Sequence, residues 1–193
     1  MRKNIILCGV GGQGTVLASK LIAAAAMSKG TPVKTAETIG MAQRGGSVFS
    51  HLRMGDGINS PLIAKGEADL IIGFEPAEAV RMLPYLKEGG SAVVSSRPIM
   101  PVSASIGASV YPIDEITAYL KERVKNLTLV DSDRAARDLG SDRVLNVVLL
   151  GAAVRSGELG LTESDILAAI RGRLAEKFHA LNEKALMYTS EII

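Results

Sequence analysis

Apolar positions along the chain begin with a short block at residues 4–8 that runs straight into glycine, the pattern of a buried parallel strand entering a tight turn. Leu17, Leu21, Ala24 and Ala25 then recur at helical spacing within 15–29, and Gly30 supplies the stop. Residues 32–37 read as a second strand. A polar, irregular stretch covers 38–46, after which alternation resumes in Val48, Ser50, Leu52 and Met54, and Gly55-Asp56-Gly57 predicts a hairpin turn. Residues 68–74 form a continuous apolar strand, Pro76 suits the first turn of a helix reaching about Leu86, Gly89-Gly90 closes that segment, and 91–95 is a further strand.

Past Pro98 and Pro101 the pattern predicts a surface loop, a short strand near Val110, a helix over 114–125 and a strand over 127–131. The last sixty residues read as helical. Residues 144–153 are apolar on nearly all sides, as in a buried helix, with Asn146 the exception, read as a core amide that hydrogen-bonds a backbone loop. Thr162 with Asp165 makes a capping box, and Phe178, Leu181 and Ala185 stripe a final helix. Strand and helix thus alternate before a helical C-terminal region, which predicts an α/β, Rossmann-like, doubly wound and mostly parallel sheet in a single domain. The chain carries no internal repeat, low-complexity tract or linker.

Composition narrows the function classes. The 193 residues suit one core. With no Trp, three Phe, four Tyr and a net charge of +2, there are few rings for stacking bases, so nucleic-acid binding is not expected. Charge is uneven, however: residues 1–55 hold seven Lys and Arg against Glu37 alone, which could attract an anion or could be solvated surface charge. Cys8 is the only cysteine, so this chain cannot supply the four thiolates of a cubane iron–sulfur cluster. The apolar run behind Met1 is too short for a signal peptide, and nowhere do about 18 apolar residues follow one another, so a cytoplasmic protein without a membrane span is expected.

Two glycine constellations carry candidate chemistry. Gly9-Val10-Gly11-Gly12-Gln13-Gly14 fits G-x-G-x-x-G between a strand and a helix, where backbone N–H groups and the helix dipole favour a phosphate or carboxylate. A dinucleotide site would add an acidic residue for the ribose, for which Glu37 is a loose match; a glycine turn that simply packs the fold is the alternative. The second is Gln43-Arg44-Gly45-Gly46-Ser47, where a guanidinium fork and an amide stand beside two glycines, at a loop expected on the carboxyl side of the sheet. His51 and His179 have no carboxylate or thiol partner at ligand spacing and read as structural, so no metal site is expected.

These two segments, with Ser60-Pro61-Leu62-Ile63, Gly73-Phe74-Glu75-Pro76 and Tyr111-Pro112, resemble the small (beta) subunit of indolepyruvate:ferredoxin oxidoreductase, related to the gamma subunit of pyruvate and other 2-oxoacid:ferredoxin oxidoreductases. The resemblance covers essentially the whole chain and implies one gamma-type catalytic domain over residues 1–193. It further implies oxidative decarboxylation of an indolepyruvate- or arylpyruvate-type 2-oxo acid to an acyl-CoA with reduction of ferredoxin. Thiamine diphosphate and iron–sulfur clusters would lie on a large (alpha) subunit, with coenzyme A as co-substrate and no cofactor held by this chain alone. Gln43 and Arg44 would act in catalysis, Arg44 binding an anion that Gln43 orients, while Gly9, Gly11, Gly12, Gln13, Gly14, Glu37, Gly45, Gly46 and Ser47 would line a cofactor or coenzyme A path. Many similar members have His where Ile39 stands, which implies either a substrate that differs from indolepyruvate within the aryl or branched 2-oxo acids, or a neutral change, because thiamine chemistry supplies much of its own acid–base machinery. A free-standing NAD- or flavin-binding oxidoreductase on the same sheet is the alternative.

Overall fold

The computed structural model describes residues 2–37, 45–100, 104, 107 and 110–192. Its centre is a seven-stranded sheet, β1 (Lys3–Val10), β2 (Val33–Glu37), β3 (Ser47–Met54), β4 (Ala68–Gly73), β5 (Leu86–Ser95), β6 (Asn126–Val130) and β7 (Glu191–Ile192), in the order β2-β3-β1-β4-β5-β6-β7. β1, β4, β5 and β6 are mutually parallel neighbours, β2 runs in the same sense, and β3 and β7 run against them. Alternation along the parallel strands sends side chains to two cores. Ile5, Leu7, Leu70, Ile72 and Val93 face one, and Ile6, Cys8, Ile71, Ala92 and Val94 the other.

The first core is covered by α1 (Thr15–Ser28) and the C-terminal helices α4 (Ser132–Leu139), α5 (Leu145–Arg155), α6 (Glu163–Arg173) and α7 (His179–Met187). The second is covered by α2 (Pro76–Met82) and α3 (Ile113–Arg123), through Ala79, Met82 and Leu120. Helices on both faces of a parallel-dominant sheet make the doubly wound α/β arrangement expected. The buried helix is α5, and the capping box is present: Asp165 N–H donates to Thr162 Oγ1 at 3.3 Å while Thr162 N–H donates to Asp165 Oδ2 at 2.8 Å.

Four local expectations are corrected. Gly55-Asp56-Gly57 does not join two paired strands, because β3 pairs with β1 and β2 and the next strand, β4, pairs on β1's other side. Among the described residues around Val110 none lies in a strand. The helix opening at Pro76 stops at Met82: Pro84 has no N–H for the helical ladder, a 3₁₀ turn (Leu83–Tyr85) intervenes, and β5 already starts at Leu86, so Gly89 and Gly90 lie inside a strand. The C-terminal region is helical except for β7, which pairs antiparallel with β6, Val130 opposite Glu191.

Candidate functional site

The ladder between β1 and β3 runs to their ends, Val10 opposite Ser47, and two further bonds extend it: Gly11 N–H donates to Gly46 O at 2.8 Å and Gly45 N–H to Gly11 O at 3.3 Å. The two sequence-predicted glycine loops are therefore one antiparallel continuation, and the Gly11 amide is used on Gly46. Gln13 fixes the next step, its Oε1 accepting from Val10 N–H and its Nε2 donating to Phe74 O, both at 2.7 Å. A side chain at Gly9 would strike Gln13 Oε1 at 2.6 Å and Phe74 Cβ at 2.8 Å, so Gly9 serves close packing. Gly14, the N-cap of α1 at φ 81°, lies where a Cβ would come within 2.5 Å of Asn146 Nδ2. Asn146 itself is buried on α5 and donates to Gly14 O at 3.4 Å, as a core amide serving a backbone loop should. Gly12, at φ 105°, meets nothing within 4 Å and opens onto free space.

That space is a crevice of about 520 Å³ at the carboxyl ends of β1, β4 and β5, with Gly12, Gln13, Phe74, Arg97, Arg143 and Asn146 in its wall. It stands where the sheet order reverses, since β1 leads to β2 and β3 on one side and β4 lies on the other. Ligands of open α/β sheets bind at this kind of switch point. A hollow of about 630 Å³ lined by Leu83, Lys87 and Tyr119 sits where β5 begins, the end at which such folds do not assemble sites. Arg97 and Arg143 bring two guanidinium groups to a wall that also holds Asp142. Arg97 N–H donates to Ser95 Oγ at 3.1 Å, its side chain lies 3.3 Å from Asp133, and Arg143 N–H donates to Ser141 Oγ at 3.2 Å. Sequence reading missed both arginines; the available signal was that Arg97 follows directly on the carboxyl end of a predicted strand.

Beside the crevice lie two buried acids. Glu75, 2% exposed, caps α2 by accepting from Glu78 N–H at 2.9 Å, and it also accepts from Tyr111 O–H and, at 3.5 Å, from Ile99 N–H. Glu78, 5% exposed, accepts from Ser47 Oγ at 2.5 Å and pairs with Arg81. Burial and the Glu75 carboxylate raise the Tyr111 phenol well above its ordinary pKa. Burial, reinforced by the charges of Glu78 and Glu75, likewise holds the Cys8 thiol protonated. His51 packs edge-on between Phe49 and Tyr85, its Nδ1 accepts from Ile63 N–H at 3.2 Å, and burial lowers its pKa; His179 Nε2 meets Leu174 O at 2.8 Å. Both histidines are structural. Among the described residues no three of His, Cys, Asp and Glu converge as metal ligands.

The structure thus brings Gly11, Gly12 and Gln13 to the crevice, sets Gly45 and Gly46 against Gly11, and turns Ser47 toward α2. Glu37 ends β2, which β3 separates from β1. At about 5 Å per strand it stands one strand further out than a ribose-binding acid would. Ile39, Gln43 and Arg44 lie outside the described residues. Among the described basic residues of the N-terminal third, two are paired with acids far along the chain and three donate to backbone carbonyls. Lys3 and Lys29 pair with Glu158 and Asp165 at 2.9 Å each, and Arg2, Lys34 and Arg53 donate to backbone carbonyls.

An open sheet with a glycine turn at its switch point and a crevice bearing two arginines beside it is the frame of an α/β unit that shapes a ligand site. The chain belongs to the pyruvate ferredoxin/flavodoxin oxidoreductase family, whose profile matches residues 4–192. Among its relatives, indolepyruvate oxidoreductase subunit IorB of Archaeoglobus fulgidus is 41% identical over 96% of this chain and 92% of its own. The crystal structure of the keto/oxoacid ferredoxin oxidoreductase gamma subunit from Geobacter sulfurreducens is similar at a TM-score of 0.69 and 26% identity, over 96% of this chain and 93% of that one. The 2-oxoglutarate:ferredoxin oxidoreductase from Magnetococcus marinus shares the fold at a TM-score of 0.68 and 21% identity, over 96% of this chain but 30% of that longer one. These homologues are oxidoreductases or subunits of them, and a free-standing NAD- or flavin-binding enzyme is not favoured. Among the described residues no helix is long and apolar enough to cross a membrane.

Proposed function

We propose that residues 1–193 form one gamma-type catalytic domain, the small subunit of a cytoplasmic, indolepyruvate- or arylpyruvate-type 2-oxoacid:ferredoxin oxidoreductase. The observation that carries this reading is the likeness to subunit IorB along nearly the full length of both chains. In the assembled enzyme a large subunit carries thiamine diphosphate and the iron–sulfur clusters, coenzyme A accepts the acyl group, and ferredoxin accepts the electrons. Thiamine diphosphate, when bound there, supplies the carbanion chemistry of decarboxylation. The single, buried and protonated Cys8 supports placing the clusters on the partner, since a cubane cluster needs four thiolates.

What this chain contributes is shape and charge. Gly12 leaves backbone room at the crevice, Gln13 locks the turn against Phe74, and Arg97 and Arg143 offer cations to an anionic group of substrate or co-substrate. Arg44 binds an anion and Gln43 orients it, on a loop whose Gly45 and Gly46 adjoin Gly11. Co-purification from the native source tests the reading: the chain is expected to bring down a larger polypeptide in a complex containing iron and thiamine. A solitary chain carrying its own flavin or nicotinamide would contradict it.

A further inference from the structure

An N-cap needs one acceptor oxygen on a short arm, and Ser, Thr, Asp and Asn are the residues that usually provide it. At α2 the cap is Glu75, whose longer arm leaves its second oxygen free to reach Tyr111 O–H, 36 residues on, and Ile99 N–H, 24 residues on. A carboxylate is acceptor-only. It therefore suits three converging donors, whereas a Gln amide would place one donor against another. Ile99 and Arg97 lie in the wall of the crevice, and Phe74, the residue before Glu75, lies in it too and accepts from Gln13. One buried side chain is thus hydrogen-bonded to the helix start, to the wall segment and to Tyr111, while its chain neighbour Phe74 holds the glycine turn.

We infer that Glu75 is a positioning residue: through Tyr111 and Ile99 it fixes the crevice wall that carries Arg97, and so sets the affinity of the assembled enzyme for its anionic co-substrate. The inference rests on the proposed function for the identity of that co-substrate, coenzyme A. Two variants separate this role from capping. Glu75→Asp keeps a good N-cap but draws the carboxylate back by about one bond, ~1.5 Å, out of reach of the phenol. Tyr111→Phe removes only the hydroxyl.

In complex with the large partner, each variant is expected to speed amide exchange at Ile99 and Met100 on the order of tenfold, the loss of one bond to a charged group. Each is also expected to raise KM for coenzyme A several-fold with kcat held within about twofold, and the double variant to be no worse than either single one, because both cut the same link. Unchanged exchange in both variants would overturn the inference. So would faster exchange with KM unmoved, or a fall in kcat alone. If the wild-type complex turned over no 2-oxo acid, the functional reading would fail by itself, and the exchange measurement would still decide whether Glu75 holds the wall.

Discussion

The residue that says most about the site is Gly14, because its positive φ and its contact with Asn146 impose two separate demands, one conformational and one steric. Gly12 has only the first. Gly12→Ala is therefore expected to cost about 1 kcal/mol and Gly14→Ala about 2–4 kcal/mol, measured as shifts of the urea midpoint at constant m. Equal costs would show that the Asn146 contact yields freely. His51 makes stability pH-dependent. Its pKa is lowered in the folded protein by burial, so the unfolded chain binds more protons near its ordinary pKa of about 6.5. Stability is full above that value and falls as pH drops through it toward the lower folded pKa. A urea midpoint that declines between about pH 7 and 5, and a flatter profile for His51→Gln, are the expected outcomes. Arg44→Ala is expected to lower turnover of the assembled enzyme about 10–100-fold, the loss of a charged hydrogen bond, while the complex still forms. Unchanged turnover would mark the loop as an assembly element only.

At the scale of elements, local signals succeeded wherever a local cause decides structure. The apolar block before Gly9, the period of α1, the capping box of α6 and the largely apolar α5 all read correctly because each is fixed by neighbours in sequence. β3 was legible as a strand, but its place between β1 and β2 was not, since pairing between segments distant in the chain leaves no trace in alternation. Gly55-Asp56-Gly57 looked like a hairpin because turn composition does not reveal which strands it joins. Asn146 was legible as a buried amide, while its partner Gly14 needed the fold. A close helix contact was also hidden: a Cβ at Gly151 of α5 would lie 2.0 Å from Leu186 O of α7. Gly151→Ala must push the two helices apart, and a loss of about 3 kcal/mol or more in denaturant unfolding is expected. A near-neutral variant would mean that α7 shifts without cost.

Across the whole molecule, the glycine turn could be found by motif, but the crevice could not. Arg97 and the stretch from Arg143 to Asn146 reach it from segments far apart in the chain, and only the sheet order brings them to one edge. The uneven charge of the N-terminal third is partly offset for the same reason, because Lys3 and Lys29 fold against Glu158 and Asp165 far along the chain. What emerges is a subunit that shapes and charges a crevice while its only thiol stays sealed under the sheet. The most direct test is ferredoxin reduction by an aryl 2-oxo acid and coenzyme A, assayed with this chain, with its large partner, and with both. Activity is predicted only for the mixture; reduction by this chain alone would contradict the account.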